Sequence, residues 1–371
     1  MYLTRLALTD FRSYASADVR LERGVTTFTG ANGQGKTNLV EAACYAATFG
    51  SHRVTADAPL IRRGADRAII RAAISGGGRD ALVEIEVNPG RANRVRLNRA
   101  PVRPREALGV VRCVLFAPED LAIVKGDPDQ RRRYLDDLLV ALRPRYAGIR
   151  SDYERVVRQR SALLKSARAR GGFPQGLEVW DDQLVTAGVE LTAGRLELVQ
   201  LIRPLVARAY SAVSGSAGDT GLRYRHLLRN EGEPEPEREK LANDMRAALA
   251  DNRRAELERA VCLVGPHRDE LELSIGGLPA RGYASHGESW SMALALRLAA
   301  FEVLRAEGED PVLILDDVFA ELDTGRRGRL ADLVAGADQV LVTAAVGADV
   351  PLAGRRFSVA DGVISGVISD D

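Results

Sequence analysis

The sequence predicts an α/β fold in which one mixed-sheet domain is interrupted by a long helical insertion. Three observations predict it. A β-rich run, Gly24-Val25-Thr26-Thr27-Phe28-Thr29, ends in a glycine-rich turn that opens a helix. Far downstream a continuous apolar run, Val312-Leu313-Ile314-Leu315, ends in Asp316-Asp317, as a strand buried on both faces does. Between them lies a stretch with apolar residues at spacings of three and four and few β signals.

The elements follow in order. Leu3, Leu6 and Leu8, leading into Phe11-Arg12-Ser13-Tyr14, read as strand. A helix is expected over 37–48. Short strands over 68–74, 81–87, 94–97 and 111–116, divided by turn clusters such as Gly76-Gly77-Gly78 and Asn88-Pro89-Gly90, predict an antiparallel β-lobe beside it. From 129 to about 215 the chain reads as helix. Tyr146, Ile149, Tyr153, Val156 and Leu163 form one series, and Trp180, Leu184, Ala187, Leu191, Leu198, Leu201 and Leu205 a second. Gly171-Gly172-Phe173-Pro174 separates the two, which predicts an antiparallel hairpin of long helices. The acidic, proline-rich segment from Glu231 to Glu237 is expected to be a loop, with helix again over 237–262. A strand over 271–275 and a helix over 289–306 precede two strands, 312–315 and 339–343, with a helix over 326–334 between them. The expected division is 1–117 and 263–371 for the two halves of the sheet domain, with 118–262 as the inserted arm.

Composition excludes several classes. Hydrophobic residues at 46% and charged residues at 28% rule out wholesale disorder. No apolar run approaches the roughly 18–20 residues that a membrane span needs. The first ten residues lack the basic-then-apolar layout of a secretory signal. Cys44, Cys113 and Cys262 are an odd set without a CxxC pair, and His52, His226, His267 and His286 have no metal-ligand spacing. A reduced, cytoplasmic setting without a membrane partner is the expectation. Basic and acidic residues balance, 52 against 51. Locally they do not: Arg143, Arg145, Arg150, Arg155, Arg158, Arg160, Lys165, Arg168 and Arg170 face only Asp152 and Glu154, and Arg91 to Arg105 holds no acid. Such stripes suit phosphate contact, with Arg155, Arg158 and Lys165 the candidate DNA contacts. No zinc-finger, helix-turn-helix or RRM signature points to base-specific reading.

The glycine-rich turn, Gly30-Ala31-Asn32-Gly33-Gln34-Gly35-Lys36-Thr37, fits the phosphate-binding P-loop pattern. Its glycines let backbone N–H groups surround a phosphate, Lys36 reaches the β- and γ-phosphates, and the Thr37 hydroxyl ligates Mg²⁺. Residues 30–37 with Asn38 are therefore the candidate ATP site. Asp316 is placed to hold Mg²⁺ with Thr37, and Asp317 to orient or deprotonate the attacking water. Lys36 and Asp316 are 280 residues apart (316 minus 36). That distance requires an insertion that leaves and re-enters the domain. Between them Ser285-His286-Gly287-Glu288-Ser289 occupies the slot of an ABC signature, where Ser285 and Gly287 would grip a γ-phosphate, and Glu321-Leu322-Asp323 stands at the spacing of a D-loop. The layout is that of the SMC branch of ABC-type P-loop ATPases with a short arm.

Several segments resemble the RecF family of bacterial recombination mediators. They are Leu8-Thr9-Asp10-Phe11-Arg12-Ser13-Tyr14, the P-loop through Asn38, and Phe116-Ala117-Pro118-Glu119-Asp120-Leu121. Arg131-Arg132-Arg133-Tyr134-Leu135-Asp136, Gly265-Pro266-His267-Arg268-Asp269-Glu270-Leu271 and the run from Leu315 to Asp323 follow in family order. The resemblance implies a head that dimerises with ATP, binds DNA at gaps or junctions, and works with RecR and RecO in loading RecA. His286, Glu288 and Ser289 stand where family members carry glutamines, and no switch histidine follows 339–343. Asp317 is one methylene shorter than the glutamate of most ABC ATPases, which suits slow hydrolysis in a switch. Two other readings are a transporter ATPase subunit, disfavoured by the arm and its arginines, and a nucleotide-binding scaffold without hydrolysis, disfavoured by the paired acids.

Overall fold

The computed structural model describes residues 1–170, 175–215, 218–226 and 235–368. The expected break at Gly171 to Pro174 and most of the acidic loop from Glu231 lie outside the described residues. In chain order the strands are β1 (Tyr2–Phe11), β2 (Tyr14–Arg20), β3 (Gly24–Thr29), β4 (Ala68–Gly76), β5 (Arg79–Val87), β6 (Arg94–Leu97), β7 (Ala100–Val102), β8 (Cys113–Phe116), β9 (Thr220–Arg225), β10 (Glu270–Ile275), β11 (Leu278–Pro279), β12 (Val312–Asp316), β13 (Gln339–Ala344), β14 (Arg355–Ala360) and β15 (Val363–Ile368). The longer helices are α1 (Lys36–Thr48), α2 (Pro128–Leu142), α3 (Arg145–Arg170), α4 (Leu177–Ser214), α5 (Arg238–Arg259), α6 (His286–Arg305) and α7 (Thr324–Val334). No helix among the described residues is long and apolar enough to cross a membrane.

The chain forms two compact units. The first comprises Met1–Leu121, Leu205–Gly218 and Ser285–Asp371. It holds two six-stranded sheets, one antiparallel in the order β2-β1-β4-β5-β6-β7, the other in the order β15-β14-β3-β13-β12-β8. In the second sheet β14, β3, β13, β12 and β8 run parallel, and only β15 is antiparallel. The residues expected to form a last strand of the β-lobe, 111–116, are thereby reassigned. Cys113–Phe116 pairs with β12, Leu315 opposite Phe116. Its unbroken apolar run explains why: a strand of the half-exposed antiparallel sheet alternates, as β1 does, whereas a parallel strand is covered on both sides. The hairpin β14–β15 had no sequence-based expectation. Helix α1 packs its buried face, including Leu39, Val40 and Tyr45, into the core shared by the two sheets.

The second unit comprises Ala122–Pro204 and Asp219–Ala284. Helices α3 and α4 run antiparallel: Arg160 pairs with Asp181, Tyr153 lies on Gly188 and Tyr146 on Gly194. A third helix joins the expected hairpin. Along α5, Arg238 meets Glu190, Met245 touches Gly188 and Arg253 meets Asp181, so the arm is a three-helix bundle. Arg160, in the basic stripe of α3, is fully buried and bridges all three helices through Asp181 (2.8 Å) and Glu256 (2.6 Å). Breaking such a buried pair costs about 3–5 kcal/mol, because a charge is left without a partner. Strands β9, β10 and β11 form a small antiparallel sheet in this unit. Two of the segments that carry the family resemblance meet here. Arg131 forms a double hydrogen bond with Glu270, and Arg195 clamps Asp136 while donating to the Pro266 carbonyl.

Candidate functional site

The site is built where β3, α1 and β12 converge in the first unit. The turn from Gly30 to Gly35 leads directly into α1, whose N-cap is Gly35 in the left-handed region (φ 112°). A Cβ at Gly35 would lie 2.9 Å from Ser13 Oγ and 3.0 Å from Tyr14 Oη. Tyr14 donates to the Gly35 carbonyl at 3.0 Å and braces the turn from behind. Only glycine satisfies both constraints. Lys36 is 3% exposed, and its ammonium donates to the carbonyls of Gly30 (2.8 Å) and Ala31 (3.2 Å). The cation is thus held under the loop, beside the first N–H groups of a helix.

Across the turn, the parallel pairing of β12 with β13 sets Asp316 opposite Thr343. Asp316 Oδ1 accepts from Thr37 Oγ1 at 3.0 Å and from Thr343 Oγ1 at 2.5 Å. Burial raises the Asp316 carboxyl to about 6; the two threonine hydrogen bonds oppose the shift, and the charges of Asp317 and Glu119 add to it. Asp317 begins the turn after β12 in the left-handed region (φ 52°). It lines a cleft of about 320 Å³ with Asn32, Gly33, Gly35, Lys36, Thr37, Asn38 and Arg53.

The sequence reading did not single out Arg53. Its guanidinium donates to Asn38 Oδ1 at 3.1 Å and lies 3.5 Å from Glu41. Glu41 is buried, which works against its charge, yet hydrogen bonds from Arg12 and Ser51 and the nearby Arg53 hold its carboxyl below the usual range. No local motif marks Arg53; the signal is the acid at Glu41, one helical turn beyond Thr37, which needs cations around it. Gln34 points elsewhere: its Oε1 accepts from the Asp361 N–H at 2.5 Å, tying the loop to the β14–β15 turn.

Ser285 and Gly287 do not line this cleft. Ser285 is the exposed N-cap of α6, in a capping box with Glu288: Ser285 Oγ accepts from the Glu288 N–H, and Glu288 accepts from the Ser285 N–H. A Cβ at Gly287 would lie 2.7 Å from the Arg326 guanidinium, which pairs with Asp323 of the D-loop-like segment. The departure at His286 is absorbed within the helix, where its ring accepts from Trp290 Nε1 at 3.0 Å. In the second unit Arg155, Arg158 and Lys165 are all exposed; Arg155 pairs with Asp152 and Arg158 lies 3.9 Å from Glu154.

The raised Asp316 carboxyl makes a stability prediction. Its folded-state value of about 6 exceeds the ordinary 3.8, so the folded chain binds the proton more tightly and loses stability as pH rises from about 4 through 6. At pH 7.5 the buried charge costs at most about 3 kcal/mol. Asp316→Asn keeps the acceptor for both threonines and removes the charge. It is expected to raise the melting temperature of the nucleotide-free protein by roughly 3 °C at pH 7.5, with the gain fading below pH 5. Thermal unfolding across that pH range checks this, and an Asn variant less stable at pH 7.5 would contradict it.

A parallel sheet with a P-loop after one strand, two acids ending its neighbour's neighbour, and an antiparallel lobe alongside define an ABC-type ATPase head of the SMC class. The sequence profile described as "RecF/RecN/SMC N terminal domain" matches residues 2–359. The chain belongs to the RecF family. It is 58% identical to the DNA replication and repair protein RecF of Streptomyces avermitilis over 99% of this chain and 100% of that one, and 59% identical to that of Frankia alni over 98% and 99%. Among solved structures, one described as the recombination mediator protein RecF-ATPrS in the RecFOR pathway superposes with a TM-score of 0.90 at 26% identity, covering 99% of this chain and 98% of that one. An SMC head bound to the C-winged helix domain of ScpA gives 0.59 at 18% identity over 100% and 98%, a likeness of fold.

Proposed function

We propose that this protein is an ATP-gated DNA-binding ATPase of bacterial DNA replication and recombinational repair, acting in the cytoplasm. The observation that carries the reading is one cleft lined by Lys36, Thr37 and Asp317, with the buried Asp316 hydrogen-bonded to Thr37, in a chain 58% identical to a RecF protein. The cleft fits a nucleotide triphosphate: the glycine that lacks a Cβ, a buried lysine and a helix N-terminus all favour phosphate. Gly30 to Asn38 would hold ATP. Mg²⁺, held by Thr37 and Asp316, would supply charge neutralisation at the phosphates. Asp317 orients the attacking water, and the short acid gives slow turnover, suited to a switch. Ser285 and Gly287, which do not line their own chain's cleft, suit the nucleotide of a second copy. ATP then joins two heads into a dimer. The dimer binds gapped, junction or duplex DNA without sequence preference, and works with RecR and RecO to promote RecA loading.

DNA binding is the property to test. With ATP and Mg²⁺, affinity for gapped DNA is expected to exceed the nucleotide-free value at least about tenfold, because two basic surfaces then act as one bivalent site. Arg155→Glu, Arg158→Glu and Lys165→Glu together should weaken DNA binding and lower the slope of log K against log salt by roughly 2–3, with ATP binding intact. Fluorescence anisotropy over a salt series measures both. Equal affinity with and without ATP would defeat the gating.

A further inference from the structure

Thr343 is a buried polar side chain beside the two acids whose part in ATP chemistry is so far unassigned. It lies on β13, a central strand between β12 and β3, with no exposure. The strand reads Gln339-Val340-Leu341-Val342-Thr343-Ala344, so only its first and fifth residues are polar. Gln339 is accounted for by hydrogen bonds to both backbone groups of Leu3. A buried hydroxyl is costly unless it is bonded, and a valine would fill the same volume without that demand. Thr343 uses its hydroxyl twice. It donates to Asp316 Oδ1 at 2.5 Å and accepts from the Asp317 N–H at 2.9 Å, and its own carbonyl accepts from the same N–H at 3.2 Å.

Asp317 needs such a tether. Its left-handed backbone (φ 52°, ψ 19°) is unfavourable for a residue with a Cβ by roughly 1–2 kcal/mol, and persists only where surrounding contacts impose it. In that conformation Asp317 lines the cleft. Thr37 and Thr343 both donate to Oδ1 of Asp316. One hydroxyl therefore joins both acids: Asp316 through a side-chain oxygen that Thr37 shares, and Asp317 through a backbone N–H that the Thr343 carbonyl shares.

We infer that Thr343 is the positioning residue for hydrolysis, the link that fixes Asp317 relative to Asp316 in the place where no switch histidine stands. This rests on the ATPase reading of the cleft. Steady-state turnover and ATP binding are to be measured for the parent, Thr343→Val, Thr343→Ser, Asp317→Asn and the double variant Asp317→Asn/Thr343→Val. Thr343→Val is expected to lower kcat about 10- to 100-fold with KM and ATP affinity within threefold of the parent, and Thr343→Ser to stay within threefold throughout. Thr37 still holds Asp316 when the Thr343 hydroxyl is gone, so its effect on turnover is expected to run through Asp317, and adding Thr343→Val to Asp317→Asn should slow turnover no more than twofold further. A purely structural role gives multiplicative losses, and that result, or parent-like turnover in Thr343→Val, overturns the inference. If Thr343→Val does not fold, the cycle is run with Thr343→Ala under the same criteria. Parent-like turnover in Asp317→Asn, or no Mg²⁺-dependent turnover in the parent, instead removes the ATPase reading beneath it.

Discussion

Lys36→Ala is expected to weaken ATP binding roughly 100-fold or more, about 3 kcal/mol, and to do so without unfolding the chain. The Lys36 ammonium lies beneath the loop and already bonds to the Gly30 and Ala31 carbonyls. Those bonds show what the substitution removes. A phosphate arriving at the loop finds the cation fixed in place, so little ordering remains to be done on binding. Alanine leaves the backbone N–H groups of α1, which retain part of the affinity, and Arg53 at the rim of the cleft. Calorimetric titration with a slowly hydrolysed ATP analogue measures the loss. Parent-like affinity in Lys36→Ala would sink the P-loop reading itself.

Ser285→Arg is expected to abolish the ATP-dependent dimer while sparing ATP binding by the monomer. Ser285 stands exposed at the N-terminus of α6, so a large side chain there adds bulk and charge to the surface that would face a second copy. It would meet the facing surface of a second copy, and its bulk would hold the two apart. The monomer loses the capping box, about 1 kcal/mol, which thermal unfolding reads separately from assembly. Sedimentation velocity with and without ATP distinguishes the cases: a nucleotide-dependent dimer in the parent and a monomer in the variant. A dimer that forms equally without nucleotide contradicts the gated assembly.

What could be read from the sequence was what local chemistry encodes. The P-loop is a contiguous backbone motif, and the strand ending at Asp316 is an apolar run with its acids attached. Elements decided by distant pairing were less legible. Cys113–Phe116 lies beside the β-lobe in sequence but pairs with β12, and nothing in four residues names that partner. The strand Arg355–Ala360, with its paired arginines and a serine, gives no clean alternation, yet it pairs with β3. The third helix of the arm was visible as a helix, but part of what holds it beside α3 and α4 is Arg160, which the sequence places in a basic stripe suited to phosphate. Arg53 and Thr343 reach the site through partners distant in sequence: one answers the buried Glu41, 12 residues earlier (53 minus 41), the other a strand register set across 27 residues.

The strand order of the parallel sheet has a consequence for how the protein is made. β3, which carries the P-loop, is flanked by β13 and β14, from the other end of the chain. The antiparallel lobe, built from strands close in sequence, can pair while the chain is still emerging from the ribosome. The nucleotide cleft cannot: Asp316 and Thr343 do not exist until 287 and 314 further residues (316 and 343, each minus 29) have followed β3. At a translation rate of about 5–20 residues per second, β3 waits on the order of half a minute with both edges bare. During that interval it is a sticky edge, closed only by long-range pairing that is intrinsically slow. The part of the molecule that carries the chemistry is therefore the last to be assembled, and the part most dependent on protection from aggregation during synthesis.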